Sequence, residues 1–301
     1  MRSRTDTLRV LEETSRTFYI PITRLPGKLQ ETVAAAYLSS RALDEIEDNN
    51  KLSNASKEKL LHEISWGLQT RTGTDLGTYF SVILRPYQTE IPEVSLRIGE
   101  WLSYPPEDIA PRIWYTVATM AGRMAYWVER NWEIRTEADL NGYTFDVAGA
   151  AGLLLCDLWS WFAGTQIDRA VAVQFGRGLQ AVNILRNRAE DLQRQVDFYP
   201  LGWKQEHMLS YAHNSLNPAR EKVNAIPRDA FTYLFEIPLL LAEATLDAVK
   251  NGKTKLTRRE VKQITDVRAE ARQKAEVTQP TGPNQRACTS QDQVGQNVCL
   301  S

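Results

Sequence analysis

The chain has 301 residues, enough to bury a sizeable core as one large domain or two ordinary ones. Its 36 basic side chains balance 37 acidic ones to a formal net charge of -1, with 43% hydrophobic and 24% charged residues. That is an ordinary globular composition, and it excludes a global field that would draw nucleic acid or an anionic membrane, so anion binding must come from local clusters.

Three cysteines are too few for a disulfide framework. Cys156 lies in an apolar helical run and reads as an inert thiol, while Cys288 and Cys299 lie in a polar tail. Residues 1–13 are charged and lack an apolar core, so no signal peptide is expected. The longest apolar candidate for a spanning helix, 147–161, contains Asp157 and falls short of the roughly 18 to 20 residues required. These features predict a cytoplasmic protein without a transmembrane segment, soluble or at most peripheral.

A polar lead-in over 10–17 precedes an apolar run, 18–25, that Pro26 and Gly27 interrupt. Leu29, Val33, Ala36, Tyr37, Ser40 and Leu43 then recur at intervals of three and four, which predicts one long helix over 28–48. A second helix is predicted over 56–69, with Ser53 or Ser56 as its N-cap. Short helices follow at 79–85 and 92–102, broken by prolines. Pro105 and Pro106 open another that runs to Trp132. The stretch 137–163 is strongly apolar, and 168–193 forms the second acidic helix. Further helices are predicted at 204–215, 218–224, 227–249 and 257–274. No segment alternates as a strand, so the chain reads as all-α. The last stretch, rich in Gln, Asn, Thr, Gly and Pro, reads as a disordered tail.

Two acidic segments carry the chemistry. In the first, Asp44 and Asp48 lie four apart, one turn above each other on one helix face, with Glu45 and Glu47 nearby and Arg41 three residues ahead. In the second, Asn183, Asn187 and Asp191 stack in the same way, with Arg186 beside Asn187. Carboxylates are hard oxygen ligands suited to Mg²⁺, which binds through one or two of them plus substrate phosphates. The bland reading of either segment is a solvated helix end, with Arg186, Arg188 and Arg194 pairing with Glu190 and Asp191 as surface ion pairs. Context argues against it. Ser15 and Arg16 could bind phosphate oxygens, and Gln180 and Asn183 are polar groups on an otherwise apolar helix that need partners, in each other, a ligand or water. Gly149 and Gly152 interrupt an apolar helix, for close helix approach or for a bend that opens a cavity.

Together these segments resemble the squalene/phytoene synthase family, the head-to-head isoprenyl diphosphate synthases, over about residues 15–265. The family's S-x-[ST]-F segment is similar to Ser15, Arg16, Thr17 and Phe18. Its first aspartate-rich motif is similar to Arg41 followed by Asp44 to Asp48. Gly122-Arg123-Met124-Ala125 matches G-x-M-A, and Tyr143 with Val147, Ala148, Gly149 and Gly152 matches Y-x-x-x-V-A-G-x-x-G. Gln180, Asn183, Ile184, Arg186, Glu190 and Asp191 match the second motif, Phe198-Tyr199-Pro200 its ending, and Glu236-Ile237-Pro238 a later I-P segment. One position departs: Asn187 stands where the family has the first aspartate of the second motif, offering a carbonyl oxygen but no charge. Asp146 is also acidic where an aromatic or neutral residue is expected, which opens the option of a reorganised ligand set.

The resemblance implies a single isoprenoid-synthase-type helical bundle with a central cavity over 1–274, followed by the tail 275–301. It implies a Mg²⁺-dependent prenyltransferase that joins two prenyl diphosphates, farnesyl diphosphate foremost, through a cyclopropylcarbinyl diphosphate. Asp44, Asp48, Asn187 and Asp191 would hold the metal. Ser15, Arg16, Phe18, Arg41, Gln180, Asn183 and Arg186 would bind substrate, and Tyr143 would assist proton movement with Asp44, Asp48 and Asp191. The squalene branch adds hydride from NADPH, although no Rossmann-type glycine fingerprint is present; the phytoene branch ends by proton loss. No nucleic-acid partner is implied, and membrane contact would be peripheral, for product release. Two rivals rest on Asn187: transfer from one allylic diphosphate to a non-prenyl acceptor such as an aromatic ring, in a pocket that Trp159, Trp161 and Trp203 would line, and a non-catalytic isoprenoid-binding homologue.

Overall fold

The computed structural model describes residues 4–70, 75–225, 230–253 and 255–266, and no strand occurs among them. The tail 275–301, with Cys288 and Cys299, lies outside the described residues. The helices are α1 (Arg4–Thr14), α2 (Arg16–Ile22), α3 (Gly27–Glu47), α4 (Asn54–Thr70), α5 (Leu76–Leu84), α6 (Glu93–Leu96), α7 (Ile98–Ser103), α8 (Ala110–Glu129), α9 (Glu137–Thr144), α10 (Ala150–Ala163), α11 (Arg169–Gln193), α12 (Gln205–Ala225) and α13 (Ala230–Lys250). A π-helical turn, Phe145–Gly149, joins α9 to α10, so that Glu137–Ala163 is one continuous rod.

Local chemistry explains the starts. Ser53 Oγ accepts the Ser56 N–H at 3.1 Å ahead of α4, and Thr136 with Asp139 forms a reciprocal capping box on α9. Asp168 accepts the Ala170 and Val171 N–H groups at the start of α11. Two elements differ from the sequence reading. The polar lead-in is helix α1, because Val10 and Leu11 are buried and draw the segment onto α2 and α3. The expected break at Pro218 is absent: α12 runs straight through it. Leu216 and Ala219, on either side of the proline, are buried, and α12 packs against α11 and α13. That packing outweighs a proline's local cost of about 3 kcal/mol.

Helix α3 is the centre. Leu29, Val33, Ala35, Leu38, Ala42, Leu43 and Ile46 are buried, and the helix packs against α1, α4, α6, α7, α8 and α10. The α10 segment lies between α3 and α11, touching both. Its contact with α11 is backbone on backbone. A Cβ on Gly152 would stand 2.3 Å from the Ala172 carbonyl oxygen, and one on Gly176 would stand 2.5 Å from the Ala148 oxygen. Close approach, the plainer of the two readings, accounts for Gly152. The continuous 27-residue rod is long and apolar enough to cross a membrane, where the sequence reading found its apolar run too short. It packs against both α3 and α11, yet only 39% of its most apolar window is buried.

Candidate active site

The C-terminal ends of α3 and α11 meet. Asp48 caps α3, and Asp191 lies in the last turn of α11. Arg194, which caps α11, joins them: its Nη1 lies 3.0 Å from Asp48 Oδ1 and its Nη2 2.5 Å from Asp191 Oδ1. Asp48 is 61% exposed and Asp191 only 9%. Burial pushes the Asp191 carboxyl up, and the Arg194 guanidinium pulls it back.

One turn before Asp48, Asp44 keeps 36% exposure, 3.8 Å from Arg41 Nη1. The surrounding fold still pushes its carboxyl up to about 7, against the pull of Arg41 and with the like charges of Asp48 and Glu45. Arg41 pairs with Glu45, while its Nε is buried and unpartnered. The Arg41 position is shared with Tyr37, Ser15 and Phe18. The Phe18 and Tyr37 rings lie 5.1 Å apart, Ser15 caps α2 and sits beside the Tyr37 hydroxyl, and burial raises that hydroxyl to about 12. Arg16 opens α2; its side chain lies outside the described residues.

On α11, Asn183 Oδ1 accepts from Arg186 Nη2 at 2.6 Å and from Asn187 Nδ2 at 3.1 Å, and Arg186 Nε donates to Asn187 Oδ1 at 3.2 Å. Asn183 therefore turns to Arg186 and Asn187 rather than to Gln180, which is half-buried one turn earlier. Desolvation lowers the Arg186 pKa, the Glu190 charge opposes this, and the Arg41 charge on the other helix adds to the lowering. Glu190 turns outward to Lys255.

Tyr143 sits behind the acids. Its ring stacks on Phe198 at 4.7 Å and meets Trp127 edge-on at 5.6 Å. Burial, followed by the charges of Glu47, Asp48, Asp44 and Asp191, holds its hydroxyl protonated. Sequence reasoning named Glu47 among the nearby acids but not its support by Trp132 and Lys57. Glu47 is buried, accepts from Trp132 Nε1 at 2.6 Å, and has a carboxyl pushed up to about 8 by burial and Asp48. The Lys57 ammonium lies 5.1 Å over the Trp132 ring. Tyr37, read only as a core position, was findable as the residue one turn before Arg41.

The structure separates the other candidates. Asp146 is buried, 2.9 Å from Arg123 Nε and 2.8 Å from Trp127 Nε1, so it anchors the π-helical turn and joins no ligand set. Trp159 bonds Thr165 and Trp161 bonds Asp108, while Trp203 lies near His207 and Tyr211, so the three indoles have separate settings. Among the described residues no three His, Cys, Asp or Glu side chains converge as a metal site. A cleft of about 910 Å³, lined by Lys28, Phe80, Arg97 and Tyr104 among others, includes none of the motif residues.

An all-helical bundle that brings two acidic helix ends together beside arginines is an isoprenoid-synthase-type architecture. The family model for squalene/phytoene synthase matches residues 11–210, and the chain belongs to that family. It is 27% identical to the squalene synthase of Schizosaccharomyces pombe over 289 residues, covering 80% of this chain and 58% of that protein. It is 30% identical to squalene synthase ERG9 of Candida albicans over 222 residues, covering 70% of this chain and 49% of that protein. The chain thus spans about half the length of the curated relatives it matches. In fold it is similar to a solved structure of TcSQS with the ligand E5700, with TM-score 0.69, 22% identity, and coverage of 87% of this chain and 84% of that one. A dehydrosqualene synthase with ligand gives TM-score 0.56 and 17% identity, covering 90% and 96%.

Proposed function

We propose that the protein is a Mg²⁺-dependent prenyltransferase that joins two prenyl diphosphates, farnesyl diphosphate foremost, head to head into a squalene- or phytoene-type product. One observation carries this reading: the α3 and α11 ends meet, with Arg194 holding Asp48 and Asp191, and each helix carries an arginine, Arg41 and Arg186, close to its acids. Guanidiniums gathered from separate helices suit an anion such as diphosphate, and the buried, unpartnered Arg41 Nε is a donor awaiting an acceptor.

Asp44 and Asp48 are hard oxygen donors one turn apart and suit Mg²⁺; the nearest cation to Asp44 is 3.8 Å away, while Asp48, like Asp191, is paired with Arg194. Asn187 and Asp191 are already engaged, by Arg186 and Arg194. When bound, the ion neutralises charge developing on the leaving diphosphate oxygens.

The chain's own groups would do the rest. Arg41, Arg186, Ser15 and Arg16 bind the diphosphate, with Gln180 and Asn183 on the α11 side. The Phe18 and Tyr37 faces shield an allylic cation, an attraction of about 1 to 2 kcal/mol when desolvated. Val147, Leu155 and Leu179, apolar yet only half-buried, offer surface for prenyl chains. The C1–O bond of the first prenyl diphosphate breaks and its diphosphate leaves toward Arg41 and Arg186. The double bond of the second prenyl group attacks that C1, and loss of a proton gives the cyclopropylcarbinyl diphosphate, which keeps the second diphosphate. Tyr143, kept protonated, can hold or relay a proton at its Oη. A second ionisation releases the remaining diphosphate and the ring rearranges; the resulting cation would be ended by proton loss, or by hydride were NADPH to supply it. We place the protein in the cytoplasm, with peripheral membrane contact through which a lipophilic product leaves.

Incubation with Mg²⁺ and farnesyl diphosphate, with and without NADPH, followed by mass spectrometry of the products, tests this. A C30 product supports it, and the NADPH arm names the terminating step. Diphosphate release with farnesol alone favours the second reading, transfer to a non-prenyl acceptor, for which the neutral Asn187 speaks. Binding without turnover marks a non-catalytic homologue.

A further inference from the structure

We propose that Arg194 is a tethered cation that takes the place of one divalent ion at the α11 side of the site, so that the protein binds fewer metal ions than its pair of acidic motifs suggests. Asn183, Asn187, Asp191 and Arg194 follow one another at steps of four, four and three, so they lie on one face of the helix. On that face the position that could carry a carboxylate is an amide. The one remaining acid, Asp191, is ion-paired to the arginine one turn beyond it at 2.5 Å. The same guanidinium reaches the other helix, 3.0 Å from Asp48 Oδ1 and 3.4 Å from the Asp48 carbonyl oxygen. It therefore bridges a carboxylate from each helix, as a bridging ion would.

Its placement is favoured physically. It caps the C-terminus of α11, where the helix dipole stabilises a cation, and it also contacts the Asp48 carbonyl at the end of α3. The guanidinium fork is always charged and suits two carboxylates at once. It differs from an ion in being permanent, singly charged and unable to exchange. Arg186, left with only amide oxygens as partners, keeps its charge for the substrate. Lys57 lies near enough to Arg194, Asp48 and Glu47 to feel all three, so this cluster of acids carries cations of its own on both sides.

The proposal rests on the diphosphate-binding reading above, but its test does not need turnover. Mn²⁺ bound to the full chain in the presence of inorganic diphosphate is counted by electron paramagnetic resonance, for wild type, Arg194→Gln and Arg194→Lys. Freeing Asp48 and Asp191 in Arg194→Gln is expected to add one Mn²⁺ per chain, whereas Arg194→Lys retains the wild-type number. Mg²⁺ should also raise the thermal midpoint of Arg194→Gln more than that of wild type. An unchanged Mn²⁺ count in Arg194→Gln overturns the proposal. Should that variant not fold, Asp191→Asn decides: a carboxylate committed to Arg194 can be removed with no loss of bound Mn²⁺, and the loss of an ion overturns the idea. A C30 product with an unchanged count would sink this inference alone. An added ion without product would sink the functional reading alone.

Discussion

The two acidic helix ends are built differently, although the sequence presents them as near equivalents. The α3 end is supported by the fold: Ala42, Leu43 and Ile46 are fully buried behind it, Trp132 holds Glu47 from outside the helix, and the Asp44 carboxyl is pushed up to about 7 by its surroundings. The α11 end is supported mainly from within, because Arg186, Asn183 and Asn187 bond one another and Arg194 bonds Asp191, with Arg194 alone reaching across to Asp48. A carboxylate that the core holds but no cation closely neutralises is the better ligand for a metal. One already paired within its own helix is the better electrostatic counterweight. The comparison assigns metal binding mainly to α3 and anion positioning mainly to α11.

The largest effect should come from breaking the α3 side. Asp44→Asn removes the charge while keeping the shape, and product formation should fall about 10²–10³-fold, by analogy with removing a preorganised electrostatic group. Circular dichroism should be unchanged, and a residual rate near wild type would move metal binding off α3. Next in size is the crossing that sets the distance between the two helices. Gly152→Ala would place a methyl 2.3 Å from the Ala172 carbonyl oxygen, where backbone rather than a flexible side chain must move. Overpacking of this kind costs typically about 1–3 kcal/mol, read as a lower urea midpoint. Trp132→Phe tests the support of α3 directly. It removes the donor to buried Glu47, at 2.6 Å, and should cost about 1–3 kcal/mol. A loss no larger than that of an exposed pair such as Lys255 with Glu190 would erase the distinction between the two ends.

Much of this was legible in the residues. The three-and-four spacing of Leu29, Val33, Ala36 and Leu43 reads as a buried helix, and α3 is one. The spacing of Asp44 and Asp48, with Arg41 ahead of them, reads correctly as one face, because local periodicity decides it. What escaped depends on contacts distant in the chain. Trp132 lies 85 residues from Glu47, and Arg194 lies 146 from Asp48. Nothing local tells a surface arginine from one that spans two helices. Asp146 misled for the same reason: as a residue type it could be a ligand, and only the π-helical turn aims it at Arg123 and Trp127.

The smallest expected effect is the sharpest probe of the comparison. Asn187→Asp restores a charge on α11 beside Arg186, whose Nε already reaches that side chain at 3.2 Å. The new carboxylate can pair with Arg186 or attract a cation. Because Arg186 is exposed, the pair should change stability by no more than about 1 kcal/mol. The informative readout is the Mg²⁺ concentration at half-maximal rate and its response to diphosphate. If Arg186 serves the substrate, the added acid competes for it, so inhibition by inorganic diphosphate should weaken while less Mg²⁺ is needed. If α11 is instead a metal site awaiting only its missing acid, the Mg²⁺ requirement should fall with diphosphate inhibition unchanged, and α11 would then be a second metal-binding end.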